Sequence, residues 1–381
     1  MKIVFIGGRD IHLLGGIESY MKNLSTQLQK MGHQPIIFCE SDRNSIEWEN
    51  GIKIIHQKSL KSNFICKPIL GLKATIKTLL HEKNVDIIHY NAWPPSLWSF
   101  IPRFFGIKTL MQGHGLEWKR SKYSPTQQRI MKFMEWLTAH LNQNLIMCSS
   151  EQSKYFFQHY HKNATTISTA INLPNPNNIL SKKILEKYNL KEKKYFLLLA
   201  RLVKDKNPDY LIKAFNISQY NDYKLVIAGD NNSDKKYINY LHEIAACNPN
   251  IIFTGAVYGE DKESLLKNAY AFCIPSTIEG LAIALLEAMS YKIPIIASDI
   301  EANKEVLKNN ATWCSPEDVN SLNKAIEYVI NNPSEILKST EENYNTVKNE
   351  YTWECVANKY IKYLESIGIS NSINKDNKHT L

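Results

Sequence analysis

The chain has 381 residues, long for one hydrophobic core and comfortable for two. A hydrophobic fraction of 44% is globular, and no apolar run has the length of a membrane span or the layout of a secretory signal. The net charge of +9 lies wholly in the first half, where residues 1–175 hold 21 Lys and Arg against 11 Asp and Glu; with no nucleic-acid motif beside it, this excess suits an anionic membrane or a phosphorylated substrate.

The seven cysteines are scattered and contain no C-x-x-C, which points to reduced thiols and a cytoplasmic protein rather than to disulfides or zinc. No D-x-D, H-E-x-x-H or other metal-ligand spacing occurs, so no metal is expected.

The chain opens on an apolar run, Lys2–Gly8, that reads as a buried strand, followed by a loop ending in Gly15 and Gly16. A helix from Ile17 to about Met31 repeats Ile17, Tyr20, Met21, Leu24, Leu28 and Met31 at helical spacing. Strand, glycine loop and helix N-terminus is an order that lets backbone approach a phosphate. Strands are expected at 34–39, 52–56, 85–90, 108–112, 144–149 and 165–171, with helices at 69–82, 96–105, 125–140 and 151–160. Strands separated by helices imply a parallel, doubly wound sheet.

Turn residues from Asn172 to Asn178 mark a domain boundary. A lysine-rich helix follows, and then the alternation resumes. Strands are expected at 195–200, 224–228, 251–254, 271–275, 295–298 and 311–314, and helices at 208–219, 233–246, 261–268, 280–291 and 317–331. Two more helices, at about 334–349 and 352–366, end the fold. The expected organisation is therefore α/β, two tandem Rossmann-like domains at 1–175 and 176–351 facing each other across a cleft. A C-terminal helix at 352–367 packs back on the first domain, and a polar tail at 368–381 is disordered.

The residues with chemistry sit at the expected carboxyl ends of strands, where open α/β sheets bind ligands. The segment Pro275–Met289 reads as strand end, glycine turn at Gly280 and helix, bracketed by Glu279 and Glu287. Eight helical positions would separate the two carboxylates by roughly 12 Å, too far to work on one bond but suited to a long ligand touched twice. Arg201, Lys204 and Lys206 supply cations after the strand at 195–200, a set suited to a diphosphate. Gly229 ends the next strand in a turn. His114, between Gly113 and Gly115, is expected on a tight loop and more exposed than a core histidine. An aromatic and basic stretch from Trp118 to Leu137 is compatible with an interfacial patch or an ordinary amphipathic helix.

Taken together these stretches resemble the family-4 retaining glycosyltransferases of GT-B fold over nearly the whole chain. The marks are Glu279 and Glu287 as E-x7-E, Arg201 and Lys206 as A-R-L-x-x-x-K, the Gly15–Gly16 loop and His114. The run His114–Arg120 further resembles a bacterial subgroup that builds surface polysaccharides. The resemblance implies that Arg201 and Lys206 hold the donor diphosphate with backbone N–H groups at Gly16, Leu281 and Ala282. It implies that Glu287 takes the ribose, that Glu279 contacts the transferred sugar, that His114 lies near that sugar, and that Val257 borders the base.

The reaction so implied is metal-independent, retaining transfer of a hexosyl or N-acetylhexosaminyl group from a nucleoside-diphosphate sugar to a lipid-linked or oligosaccharide acceptor. It would serve lipopolysaccharide O-antigen or capsule synthesis at the cytoplasmic face of the inner membrane, with peripheral contact to anionic lipid. The sequence departs from the family at Ser168–Asn172 and at Asp299–Glu305. A GT-B-fold sugar-nucleotide epimerase, or a non-catalytic nucleotide-sugar-binding subunit, would carry the same residues.

Overall fold

The computed structural model describes residues 1–13, 15–58, 66–116, 118, 124–217, 220, 222–231 and 234–369. Glu117 of the run His114–Arg120, Lys119, Arg120, Lys122 and Tyr123 of the aromatic and basic stretch, and the tail from Ser370 lie outside these. The chain divides into two compact units, Met1–Ala170 with the chain from Trp353 onward, and Ile171–Thr352. The first crossing thus lies at 170/171 rather than 175/176, and the return at 352/353.

In the first unit the elements run β1 (Lys2–Ile6), α1 (Gly16–Lys30), β2 (Gln34–Ser41), β3 (Ser45–Glu49), β4 (Ile52–Lys58), α2 (Cys66–His81), β5 (Ile87–Asn91), β6 (Lys108–Gly113), α3 (Pro125–Leu141), β7 (Asn144–Met147), α4 (Ser150–Tyr160) and β8 (Thr165–Thr166). The strand order is β3-β4-β2-β1-β5-β6-β7-β8, parallel except for the edge pair β3–β4. The central strands are apolar on both faces because helices cover both. One face packs Phe5, Tyr20, Leu24 and Ile87 into a core, and the other packs Val4, Phe38, Ile88 and Tyr90.

The second unit contains α5 (Lys183–Lys187), β9 (Tyr195–Leu199), α6 (Pro208–Ile217), β10 (Lys224–Ala228), α7 (Lys235–Ala245), β11 (Ile251–Gly255), α8 (Gly259–Asn268), β12 (Ala271–Ile274), α9 (Ile283–Ser290), β13 (Ile295–Ser298), α10 (Glu301–Leu307), β14 (Thr312–Cys314), α11 (Val319–Asn331) and α12 (Pro333–Glu350). Its sheet is parallel in the order β11-β10-β9-β12-β13-β14. The final helix, α13 (Trp353–Ser366), packs on α1, with the Trp353 ring 5.7 Å from Tyr20 and the Tyr360 hydroxyl 2.9 Å from His89 Nδ1.

Several elements differ from the sequence expectation, each for a local reason. The helix expected at 96–105 is two 3₁₀ turns, Pro95–Trp98 and Pro102–Phe105, each begun by a proline whose missing N–H breaks a continuous helix. The edge strand β3 was not expected, although Asn50 and Gly51 sit between it and β4 with φ of 50° and 81°, the positive values a two-residue hairpin turn requires. The strand expected at 165–171 stops at Thr166, where the chain leaves the sheet. The helix expected from Gly280 begins at Ile283, and α10 occupies the Asp299–Glu305 segment. The tail expected disordered from Gly368 is held in its first residues: Lys108 Nζ donates to Gly368 O at 2.8 Å, and Ile369 is buried.

Candidate functional site

In the second unit the sheet order changes direction at β9, which lies between β10 and β12. Side chains from the loops after these strands converge there, as expected at a topological switch point. Arg201 follows β9 and is exposed. Lys206 lies in a 3₁₀ turn, Lys204–Lys206, and forms an ion pair with Glu279 of the loop after β12. Ser276 Oγ–H donates to the same Glu279 oxygen at 2.7 Å.

The two loops are joined by main chain as well. Thr277 N–H donates to Asp205 O at 3.0 Å, and the Asn207 amide donates to Pro275 O at 2.9 Å. Glu279 is only 6% exposed and Lys206 21%, so the pair is largely shielded from solvent and removing one partner would leave the other poorly matched.

Glu279 precedes α9 rather than standing on it, so the helical-rise estimate of its distance from Glu287 does not apply. Gly280 lies at a bend, and Ala282, with extended backbone, is the N-cap of α9 and offers no side-chain acceptor. The first N–H groups of the helix thus face the turn without an internal partner. Glu287 pairs through Oε1 with Lys262 of α8 at 2.6 Å. Val257 packs partly buried in the loop before α8. Gly229 has φ of +152°, and a Cβ there would stand 1.8 Å from Ala200 O, so its lack of a side chain is required by the crossing of two strand ends.

In the first unit the strand order reverses at β1, between β2 and β5. A cavity of about 270 Å³ opens at the carboxyl ends of β5 and β6. Its apolar walls include Trp93, Met131, Met147 and Phe156, and its polar groups include Asn91, His114, Glu135 and Gln152. Among the described residues Asn91 Nδ2 and Gln152 Oε1 are buried without a partner, so a ligand with hydroxyl groups would relieve them.

His114 is partly exposed on the cavity wall, more so than the fully buried His89, while its ring nitrogens are engaged. Its Nε2 lies 3.3 Å from Asn91 Oδ1, its Nδ1 3.5 Å from Cys148 Sγ, and the Tyr20 ring packs edge-on at 5.1 Å. Burial pushes its pKa down to about 4, against which the Glu18 carboxylate acts weakly. The imidazole is neutral near pH 7. The arrangement that satisfies both nitrogens assigns Nε2–H to Asn91 and leaves Nδ1 to accept from the Cys148 thiol, which burial holds protonated with a pKa near 11.

Two carboxylates were missed by sequence reasoning. Glu135 stands on the buried face of α3, whose start is fixed by a Ser124–Gln127 capping box. It accepts from Tyr160 OH at 2.7 Å and Trp118 Nε1 at 3.2 Å, and burial raises its pKa above the ordinary carboxylate value. Its helical register with Met131 and Thr138 was the available signal.

Glu18 closes the loop before α1. It accepts from Arg9 N–H at 2.7 Å, and its Oε2 would lie 2.0 Å from a Cβ on Gly15, so Gly15 leaves room for Glu18. Burial opposes its charge, but the Arg9 backbone and guanidinium prevail and hold the pKa low. The side of Gly16 is open.

His89, fully buried beside Tyr360, has its pKa lowered by burial to about 3. A base with a depressed folded pKa contributes stability that is complete above its unfolded value and lost as pH falls through the folded one. Stability should therefore fall from pH 6.5 toward 4, on the order of 3 kcal/mol from His89 alone at about 1.4 kcal/mol per pH unit. Thermal melts from pH 7.5 to 4 check this. A melting temperature unchanged down to pH 4.5 would contradict the buried neutral state.

Comparison with known proteins accords with this geometry. Residues 181–349 match the model of "Glycosyl transferases group 1", and residues 14–174 that of "Glycosyltransferase Family 4". The chain is a glycosyltransferase of the GT-B type. It is 24% identical over 334 residues to an uncharacterized glycosyltransferase of Haemophilus influenzae, covering 86% of this chain and 90% of that protein. It is 30% identical over 178 residues to the O-antigen chain mannosyltransferase RfbU of Salmonella typhimurium, covering 46% and 48%. The fold matches Anabaena Alr3699/HepE in complex with UDP-glucose at a TM-score of 0.76 and 15% identity, covering 96% of this chain and all of that one. In this glycosyltransferase the group-1 segment therefore contains the Arg201, Lys206 and Glu279 constellation, and the family-4 segment contains the cavity beside His114.

Proposed function

We propose that this glycosyltransferase moves a hexosyl or N-acetylhexosaminyl group from a nucleoside-diphosphate sugar to a lipid-linked glycan, with retention, in O-antigen or capsule synthesis. The observation that carries the reading is the pairing of Lys206 with Glu279 at the β9/β12 switch point, with Arg201 on the same loop after β9. Arg201, Lys206 and the α9 N-terminus supply positive potential where the leaving diphosphate develops charge, and no metal ion is needed for that role. Glu279, held by Lys206 and Ser276, contacts the transferred sugar, and Glu287 takes the ribose hydroxyls through the oxygen not engaged by Lys262.

The bond from the anomeric carbon to the diphosphate breaks, and a bond from an acceptor oxygen to that carbon forms on the same face. The acceptor proton passes to the leaving phosphate. His114, neutral, orients hydroxyl groups by hydrogen bonding rather than by charge. The cavity beside it, apolar with isolated polar atoms, suits a sugar ring bearing an apolar substituent on the acceptor side. The RfbU relative supports the O-antigen assignment.

A panel of UDP, GDP, dTDP, ADP and CMP sugars in thermal melts without metal tests the donor site. One nucleotide class is expected to raise the melting temperature, and Arg201→Ala to abolish the rise. No rise with any nucleotide sugar would remove the support for the site. Turnover of the donor without acceptor to an epimer would instead identify an epimerase.

Membrane contact belongs to the same proposal. Phe133 and Trp136 of α3 are exposed beside Arg129 and Lys132, and the Arg103 guanidinium donates to Leu141 O at 3.2 Å, which brings exposed Phe104 and Phe105 to the end of that helix. Aromatic rings flanked by cations suit the interface of an anionic bilayer at the cytoplasmic face. Cosedimentation with phosphatidylglycerol vesicles at low salt, reduced by Phe133→Ser with Trp136→Ser, is the expected result. Equal binding to neutral vesicles, or none to either, would refute it.

A further inference from the structure

The loop between β1 and α1 carries two polar side chains, Asp10 and His12, that the transfer reaction does not use. His12 Nε2 lies 2.6 Å from Glu47 Oε1, and His56 Nε2 lies 3.0 Å from the same oxygen. The two imidazoles thus aim equivalent nitrogens at one point. One candidate ligand atom from each of the three residues falls within 4.8 Å of the others.

We propose that His12, Glu47 and His56 bind a divalent cation of the zinc class, which clamps the glycine loop to the β3–β4 hairpin. Two neutral imidazoles and one carboxylate are a ligand set zinc takes with bonds of about 2.0–2.2 Å, leaving one position for water. Tetrahedral ligands at that radius stand roughly 3.3 Å apart, so the Glu47 oxygen withdraws by a fraction of an ångström to admit the ion.

The supporting residues are in place. His56 Nδ1 is held at 3.5 Å from Cys39 Sγ, and the Asp10 carboxylate faces the ring at 3.8 Å, beyond hydrogen-bond distance but near enough to favour a cation there. Asp10 also fixes the loop: Oδ1 accepts from His12 N–H at 3.1 Å, and Oδ2 from Ser41 Oγ–H at 3.1 Å. Ile11, between them, is buried in the core under α1. Strand alternation does the rest, because Glu47 pairs with Ile54, two residues from His56, and so shares its face of the sheet. His12 is half exposed, which leaves the ion a path from solvent.

The site differs in ligands and position from the diphosphate constellation, so its failure leaves the transferase reading intact. The test is calorimetric titration of the chelator-treated full chain with Zn²⁺, together with thermal melts. One equivalent should bind, with a rise in melting temperature of about 5 °C at a hundredfold excess over Kd. Co²⁺ should give visible absorption of tetrahedral intensity. His12→Ala and Glu47→Gln, each melting near the wild type without metal, should lose the equivalent and the rise, whereas Cys247→Ser, at an exposed thiol, should retain both. No bound equivalent in the wild-type chain, or an undiminished one in His12→Ala and Glu47→Gln, overturns the proposal.

Discussion

Lys206→Ala is expected to lower sugar transfer about 10²–10³-fold, the loss seen when one preorganised charge-stabilising donor is removed from a reacting site. Lys206 serves two partners in this account. Its ammonium is engaged by Glu279, whose side chain is 6% exposed; in the proposed reaction it would also face the donor diphosphate. Removing it therefore weakens the fold as well as the chemistry. Glu279 keeps the Ser276 hydroxyl, and Lys206 is itself partly solvated, so the stability cost is about 1–3 kcal/mol rather than the full penalty of a stranded buried charge.

The double variant Lys206→Ala with Glu279→Gln separates the two effects. Removing the unpaired charge should restore most of the melting temperature while transfer stays low. Steady-state kinetics beside thermal melts read both outcomes. Wild-type kcat/KM in Lys206→Ala would exclude this lysine from the diphosphate site. Recovery of transfer in the double variant would show that the loss came from misfolding alone.

Gly229→Ala should be the most destabilising single substitution in the second unit. The added methyl would sit 1.8 Å from Ala200 O, and φ of +152° is open to glycine but strained for any other residue. Neither neighbour can retreat freely. Ala200 N–H is bonded to Ala228 O at 3.1 Å, and Gly229 N–H to Gly255 O at 2.9 Å, so both strand ends are tied into the sheet.

A loss on the order of 4–5 kcal/mol is expected, with a fall in melting temperature of about 10 °C. Because Arg201 follows Ala200 directly, nucleotide-sugar affinity should fall with it even where the variant folds. A melting temperature within about 2 °C of the wild type would mean that the strand ends at β9 and β10 are not packed as described.

Much of the constellation in the second unit is legible in the sequence. Runs such as Phe196–Leu199 and Ala271–Ile274 can only be strands buried on both faces, and the charged residues that follow them must then lie at strand carboxyl ends. Local pattern also misled where two signals competed. The apolar stretch at 96–105 has helical composition, yet Pro95 and Pro102 divide it into two turns. The alternating strand β3 exposes Ile46 and Trp48 and so lacks the buried run that marks its neighbours, although Asn50–Gly51 announced the hairpin.

By itself, the order of residues determined the α/β class, the alternation, the glycine turns and the identity of the cations and carboxylates, because these follow from periodicity and from the few residue types that tolerate each backbone conformation. Only the tertiary structure decided which of them meet. The pairs Lys206–Glu279 and Lys262–Glu287, the burial of Glu135 in the cavity wall, the neutral state of His114 and the convergence of His12 with His56 each join residues from separate elements. Their geometry and ionisation depend on strand order and desolvation, which are properties of the packed sheet and not of any single segment.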